Sequence, residues 1–259
     1  MLGWMAIMVG CATHHPRETP SEETQQLFVT LEAEFGAVEA DGQILQESLE
    51  ADLTIQASLQ PVRRFRDGSV GSLFVVSEAS LTVDGEPVPL ELAGRSAELR
   101  TFPNGEILDF SWGEKLSGPD RYLDVFGVVL PAVSPSPPSL EVGAEARRRI
   151  IWPFKSGRTL RWDNAVDAVW ENEGEVEIGT RRSWKLSYEG PWSLEGKARF
   201  VEPIVTYRGK GRADGHVWMD AEAGTLIRHQ FDWSREVIVE GLSSIHQQQS
   251  FRGVVEVSR

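Results

Sequence analysis

The stretch LFVTLEAEF, residues 27–35, alternates apolar and polar side chains. Leu31, Ala33 and Phe35 fall on one face of an extended chain, and the residues between them are polar. A period of two residues is typical of a β-strand with one buried face. The stretch therefore predicts a sheet that covers a core on one side and faces solvent on the other.

The same alternation recurs along most of the chain. Turn residues interrupt it at intervals of roughly ten to fifteen residues, which suits an antiparallel meander. Asn104-Gly105, between apolar segments, is a strong hairpin signal. Further strands are predicted in the segments 44–60, 72–83, 97–112, 146–154, 159–171, 175–189, 193–202, 209–220, 225–241 and 243–258.

The middle of the chain breaks this pattern. Pro119 suits the first position of a helix, and apolar residues then recur at spacings of three and four up to Leu130. Residues 131–139 hold four prolines, which no strand ladder tolerates. We therefore predict a mainly β fold, a large curved antiparallel meander of two half-sheets with one short central helix. The predicted halves are 27–118 and 140–259, joined by the helix and proline-rich connector 119–139.

Composition excludes several classes of protein. The 259 residues are 41% hydrophobic and 25% charged, close to the globular average, so the chain is not expected to be disordered. A net charge of -13 repels phosphate backbones, and no nucleic-acid partner is expected. Arginine clusters begin at Arg63, Arg147 and Arg181; we interpret them as solvated strand ends, with basic patches as the alternative.

The single cysteine follows a short apolar stretch. Residues 2–9 carry no charge, and Gly10 places a small residue directly before Cys11. An apolar core that ends in small residues is typical of a signal peptide. Residues 12–26 contain no large apolar side chain, which predicts a disordered tether. The alternative is that the apolar stretch is a buried first strand or helix and Cys11 a small core residue.

The tetrapeptide Met8-Val9-Gly10-Cys11 resembles the bacterial lipobox. The resemblance implies that residues 1–10 are a lipoprotein signal peptide and are removed. It also implies that the Cys11 thiol takes a diacylglycerol thioether and that the new amino group is acylated, for example with palmitate. Ala12, by resemblance to enterobacterial sorting, implies an outer-membrane anchor that faces the periplasm or the cell surface.

No reactive constellation stands out in the sequence. GxSxG, HExxH, P-loop and GxGxxG motifs are absent, and the glycine-rich segment 209–215 is interpreted as a turn rather than a phosphate cradle. Beyond the tether the histidines are His216, His229 and His246, without the spacing of a metal site. We therefore expect no catalytic residue, no cofactor and no metal, and we interpret the chain as a non-enzyme.

Tryptophan is unusually frequent, with nine residues in the chain. Aromatic side chains on one face of a sheet can line an apolar cup for a lipid-like ligand. The proposed ligand-binding set is Trp152, Trp162, Trp170, Trp184 and Trp218. The alternative is that these five side chains, together with Trp192, fill a core.

Two longer segments, VFGVVLPAVSPSPPSLEVGAEARRRI (125–150) and WMDAEAGTLIRHQFDW (218–233), resemble features of uncharacterised bacterial lipoprotein domains. More distantly, the layout is similar to lipoprotein carriers of the LolA and LprG type, whose curved sheet wraps over helices and binds acyl chains. The resemblance implies a membrane-anchored envelope lipoprotein whose non-catalytic domain, 27–259, binds an apolar small molecule or an envelope protein. The alternative function is a structural scaffold for envelope assembly.

Overall fold

The computed structural model describes residues 23–40, 43–102, 106–112, 135, 137–156, 160–198, 204–241 and 244–258, without the side chains of 154–156, 160 and 162. All regular elements in this part of the chain are strands. No helix among these residues is long and apolar enough to cross a membrane. The strands are β1 (Gln25–Phe35), β2 (Val38–Ala40), β3 (Gln43–Gln46), β4 (Leu49–Arg64), β5 (Val70–Val83), β6 (Glu86–Val88), β7 (Ser96–Thr101), β8 (Ile107–Trp112), β9 (Glu145–Ser156), β10 (Leu160–Ile178), β11 (Arg181–Ala198), β12 (Val205–Asp220), β13 (Leu226–Glu240) and β14 (Ser244–Ser258).

The strands form one sheet that closes on itself. Its order is β1-β4-β5-β7-β8-β9-β10-β11-β12-β13-β14, and β14 pairs with β1 to complete a ring of eleven strands. β2, β3 and β6 lie outside this ring. Neighbouring strands are antiparallel except at the contact of β8 with β9, a single parallel bridge between Ser111 and Lys155. We call this contact the seam of the barrel.

The predicted architecture of two half-sheets with a central helix is wrong. The sheet does not divide into halves, because β14 pairs with β1 over ten residue pairs and the described strands share one interior. The described residues contain only strands. Residues 119–130, where the helix is predicted, lie outside them. The local period of two is confirmed, but it carries no information on how a sheet closes.

Alternation along each strand separates a packed interior from a polar exterior. In β1, Leu27, Val29, Leu31, Ala33 and Phe35 are all buried, whereas the glutamates between the last three are exposed. Each fully buried apolar side chain of this size stabilises the fold by about 1.5–3 kcal/mol relative to exposure. The interior is therefore the hydrophobic core of the barrel.

One strand provides the space for large side chains in this core. The segment GKGRADG lies within β12, so the predicted strand 209–220 is confirmed and the interpretation of residues 209–215 as a turn is wrong. Gly211 lies opposite Trp192 on β11 and Arg235 on β13. A Cβ atom at Gly211 would collide with the backbone oxygen of Ser234. Gly211 thus lets the backbone of β13 lie close to β12, and Gly215 leaves room for the Tyr188 ring.

Candidate functional site

The structure places the proposed ligand-binding tryptophans in different environments. Trp152 and Trp170 are buried in the interior, at 4% and 0% exposure. Trp184 is partly buried and packs against the same core. Trp218 lies on the outer face, where the guanidinium carbon of Arg228 is 5.6 Å from its ring centroid. The side chain of Trp162, on β10, lies outside the described residues, so only two of the five are shown to share the buried interior.

A group of aromatic side chains fills the interior between β9 and β13. Trp233 stacks on Trp152 with ring centroids 5.8 Å apart and meets Trp192 at 5.4 Å. Tyr188 packs on Trp170 at 4.8 Å. We call these five residues the interior aromatic cluster. It includes three residues that the sequence analysis did not select as ligand-binding, namely Tyr188, Trp192 and Trp233.

A hydrogen-bonded chain of three side chains crosses this cluster. Trp233 donates from Nε1 to the Tyr188 hydroxyl at 2.9 Å, and that hydroxyl lies 2.9 Å from His229 Nε2. Burial raises the pKa of Tyr188 well above its usual range, assisted by the negative charge of Asp214 and opposed by the Trp233 hydrogen bond. The phenol therefore stays protonated at neutral pH and fixes the position of the His229 ring.

A buried arginine lies beside the cluster. Arg235 donates from Nε to Gln249 Oε1 at 2.7 Å and from Nη1 to Asn164 Oδ1 at 3.1 Å. Its guanidinium carbon is 4.6 Å from the Trp192 ring centroid and 5.3 Å from that of Phe251. Amide oxygens and aromatic faces thus surround a positive charge inside the barrel.

The interior aromatic cluster also holds hydrogen-bond donors that the described residues do not use. Nε1 of Trp152, Trp170 and Trp192 is buried and has no acceptor among these residues. Buried N–H groups almost always have an acceptor in native proteins. Three such donors in one cluster give the interior an unused capacity to bind oxygen atoms.

The histidines do not meet at one point. His216 lies on the outer face, with Nε2 3.4 Å from Glu173 Oε1, and His246 lies there too, with Nδ1 3.5 Å from Glu236 Oε1. His229 points to the interior. No group of three or more potential metal ligands occurs among the described residues.

A second feature lies at the end of the barrel where β1 begins, which we call the N-terminal rim. β4 pairs with β1 as far as Leu59, which lies opposite Gln25. Beyond that point β4 continues to Arg64 with only β5 as its partner among the described strands. We call residues 61–69 the hairpin tip. The exposed residues of its sequence PVRRFRDGS include Val62, Arg63, Arg64 and Arg66.

The hairpin tip is braced from β7. Arg100 forms an ion pair with Asp67, Nη2 to Oδ2 at 2.7 Å, and donates from Nε to the Ser69 hydroxyl at 2.9 Å. Hydrogen bonds from Ser69, together with the charge of Arg100, lower the pKa of Asp67. The guanidinium carbons of Arg100 and Arg63 lie 4.0 and 4.9 Å from the Phe65 ring centroid. A cleft of about 440 Å³ opens beside the tip, with Glu98 and Asp109 in its wall.

A sequence signal existed for part of the interior site. Residues Phe231, Trp233, Arg235 and Val237 share the parity of an inward face, so an arginine interrupts an apolar row. The small residues of β12 repeat with the same period. Together these patterns indicate large side chains opposite glycines and one buried cation. Cys11 lies outside the described residues, and its lipidation stays a prediction.

Comparisons with known proteins add weak likenesses only. No protein-family model and no curated protein matches the chain. The chain is similar to the hypothetical lipoprotein YmcC from Escherichia coli, at 11% identity over 88% of this chain and 85% of that one, with a TM-score of 0.27. It is also similar to an outer membrane channel from Pseudomonas putida F1, at 11% identity over 94% and 98% of the two chains, with a TM-score of 0.24. A third is OccK5 (OpdH) from Pseudomonas aeruginosa, at 9% identity over 92% and 99%, with a TM-score of 0.29.

At these identities and TM-scores the comparisons carry no argument about function. The expected similarity to carriers of the LolA and LprG type is not shown and stays a prediction. The comparisons therefore find only a weak likeness of this β protein to a lipoprotein and to outer membrane channels.

Proposed function

We propose that this chain is a lipoprotein of the bacterial cell envelope, anchored through Cys11, whose non-catalytic barrel binds an amphiphilic ligand in its interior. The lipobox-like residues 8–11 and the polar segment that follows them support the anchor. The ligand has an apolar body and oxygen atoms that accept hydrogen bonds, as lipid-like molecules do.

The unused indole donors of Trp152, Trp170 and Trp192 are the observation that carries ligand binding. An unpaired buried N–H costs about 1–3 kcal/mol, and a ligand oxygen within reach would recover that loss. The aromatic faces around these donors suit the apolar part of the same ligand. This arrangement favours a small number of directed polar contacts within an otherwise apolar site.

The polar groups of the interior favour binding over catalysis. Tyr188 and His229 are hydrogen-bonded to each other, and the raised pKa of Tyr188 makes its phenolate unavailable near neutral pH. General acid–base catalysis instead works best with a pKa near the operating pH. This arrangement supports ligand binding as the proposed role of the barrel.

In this proposal the ligand enters the barrel through the seam between β8 and β9. One parallel bridge, between Ser111 and Lys155, joins β8 to β9, whereas the other neighbouring strands of the ring share at least five paired residues. Separating β8 from β9 consequently disrupts less backbone pairing than separating any other pair. Opening there would expose the interior without breaking the long ladders of β10 to β14.

A structural scaffold is the second candidate. It is favoured by the near-complete burial of Trp170 and Trp192, at 0% and 2% exposure, which is what a permanently packed core requires. In that case the barrel would serve as a rigid body that holds an envelope partner at its surface, and its interior would bind nothing.

Native mass spectrometry separates the two candidates. The full chain with Cys11→Ser, purified from a bacterium, is expected to carry co-purified amphiphile. Trp170→Phe and Trp192→Phe, which keep an aromatic ring and remove the N–H, are expected to lower ligand occupancy. Trp218→Phe, on the outer face, is the matched control. Protein without ligand in every preparation would contradict interior binding and leave the scaffold.

The anchor has its own test. Labelled palmitate is expected to enter the wild-type chain in a bacterium and to be absent from Cys11→Ser. Equal labelling of the two chains would contradict acylation at Cys11, whatever the barrel binds.

A further inference from the structure

The hairpin tip projects from the end of the barrel at which β1 begins. β1 and β4 are antiparallel, with Gln25 opposite Leu59. The start of β1 and the residues of β4 after Leu59 therefore lie at the same rim. β4 extends five residues past this pair, to Arg64, which is roughly 16 Å at the rise of a β-strand.

The hairpin tip is a basic feature on an acidic protein. The chain carries a net charge of -13, yet the tip presents Arg63, Arg64 and Arg66 within four exposed or half-exposed positions. Its one acidic residue, Asp67, is paired with Arg100 of β7. The tip therefore carries a net positive charge from its three arginines.

We propose that the hairpin tip docks on the anionic surface of a lipid bilayer. Arginine side chains bind phosphate groups through planar, bidentate contacts. Exposed Val62, at 70%, adds an apolar side chain next to them, which suits the boundary between head groups and acyl chains. The acidic remainder of the protein is repelled by the same surface, so the charge pattern orients the barrel with its N-terminal rim toward the bilayer.

The distance to the anchor fits this orientation, which rests on the proposed acylation of Cys11. Cys11 and Glu23 are twelve residue steps apart. At about 3.5 Å for each residue, even a fully extended link spans only roughly 40 Å. The N-terminal rim therefore stays close to any membrane that holds Cys11, and the basic tip is a part of the described barrel that projects from this rim.

Vesicle binding tests the docking independently of acylation. The full chain with Cys11→Ser is mixed with vesicles of phosphatidylcholine and phosphatidylglycerol, or of phosphatidylcholine alone, and the bound fraction is measured by sedimentation. We expect binding to the anionic vesicles only, and its loss at high salt. Neutralising Arg63, Arg64 and Arg66 to Gln should weaken the partition coefficient roughly fivefold for each arginine, about a hundredfold in total.

A matched triple variant controls for net charge. Arg161, Lys197 and Arg208 are exposed cations at the opposite rim, and their change to Gln removes the same charge. This variant should bind anionic vesicles at least half as well as the Cys11→Ser chain. Equal loss in both triple variants, or no binding by the Cys11→Ser chain, would overturn the proposal. Neither outcome bears on palmitate labelling, so failure of docking and failure of the anchor are distinguishable.

A site-specific probe keeps the test valid if a triple variant folds poorly. In the Cys11→Ser chain, Val62→Cys places a single thiol on the tip and Ile204→Cys places one at the opposite rim, where that residue is 50% exposed. With an environment-sensitive dye on each thiol, anionic vesicles should shift the emission of the Val62→Cys protein to the blue. An equal shift at Ile204→Cys, or none at Val62→Cys, would contradict docking through the tip.

Discussion

Gly215 is a position where one added methyl group should damage the hydrogen-bonded part of the interior. A Cβ atom there would lie 2.5 Å from the Gln230 oxygen and 2.8 Å from the Tyr188 hydroxyl oxygen. Both distances are below what real Cβ atoms adopt, and Gln230 contributes rigid backbone. Gly215→Ala must therefore displace the hydroxyl that links Trp233 to His229.

The size of the effect follows from two contributions. Overpacking costs about 1–3 kcal/mol, and a lost buried hydrogen bond costs about 1–3 kcal/mol more. We expect Gly215→Ala to lower the free energy of unfolding by roughly 3–5 kcal/mol, which is on the order of 10 °C in Tm for a chain of this size. Urea unfolding followed by tryptophan fluorescence measures this change directly.

A second glycine provides the control for that measurement. Among the described residues, Gly241→Ala would meet only Val205 Cγ2, at an ordinary 3.4 Å. Without a steric conflict, Ala in place of Gly stabilises by about 0.4–1 kcal/mol through the unfolded chain. The two variants should thus differ in sign. A Gly215→Ala protein that unfolds at the wild-type midpoint would refute the close packing of Tyr188 over β12.

Three further predictions concern single side chains. Because burial raises the pKa of Tyr188, this side chain stabilises the fold fully below about pH 10 and loses this contribution as the pH rises toward its folded pKa. The absorbance titration of native Tyr188→Phe should therefore overlay that of the wild-type protein until unfolding. An extra phenol that titrates near pH 10 in the wild-type protein would contradict this prediction. Asn172→Ala removes a buried amide that donates to the Leu140 oxygen at 2.9 Å, and should cost about 1–3 kcal/mol in urea unfolding; a change below about 0.5 kcal/mol would contradict that role. Asp67→Asn should speed tryptic cleavage at the hairpin tip, because it removes the ion pair with Arg100; an unchanged cleavage rate would contradict a stabilising role for this ion pair. The pKa of wild-type Asp67 is lowered, so the ion pair protects the tip above the ordinary pKa of 3.8 and this protection is lost as the pH falls through the lower folded pKa.

Local structure could be predicted from the sequence better than global arrangement. The alternation in β1 correctly assigned Leu31, Ala33 and Phe35 to the core, because side-chain period depends only on neighbouring residues. Closure of the sheet depends on pairing between β1 and β14, which are separated by about two hundred residues and carry no joint signal in one sequence. The half-sheet architecture failed for that reason.

The interior site was only partly accessible from the sequence. The number of tryptophans in the sequence correctly indicated Trp152 and Trp170 as interior residues. The side of the sheet on which Trp218 lies follows only from the register of β12 against its neighbours. Turn propensity suggests a loop for the glycines of residues 209–215, whereas Gly211 lets the β13 backbone lie close to β12 and Gly215 leaves room for the Tyr188 ring. Propensity is local, and tertiary packing overrides it here.

The pairing of the first strand with the last one has a consequence for biogenesis. β1 can pair with β4 early, but it finds its second partner, β14, only when residues up to Ser258 have been synthesised, so closure of the ring is among the most non-local events a chain of this length can undergo. Folding dominated by such contacts is slow. The ring of a nascent chain of this kind therefore stays open until its last strand has been made.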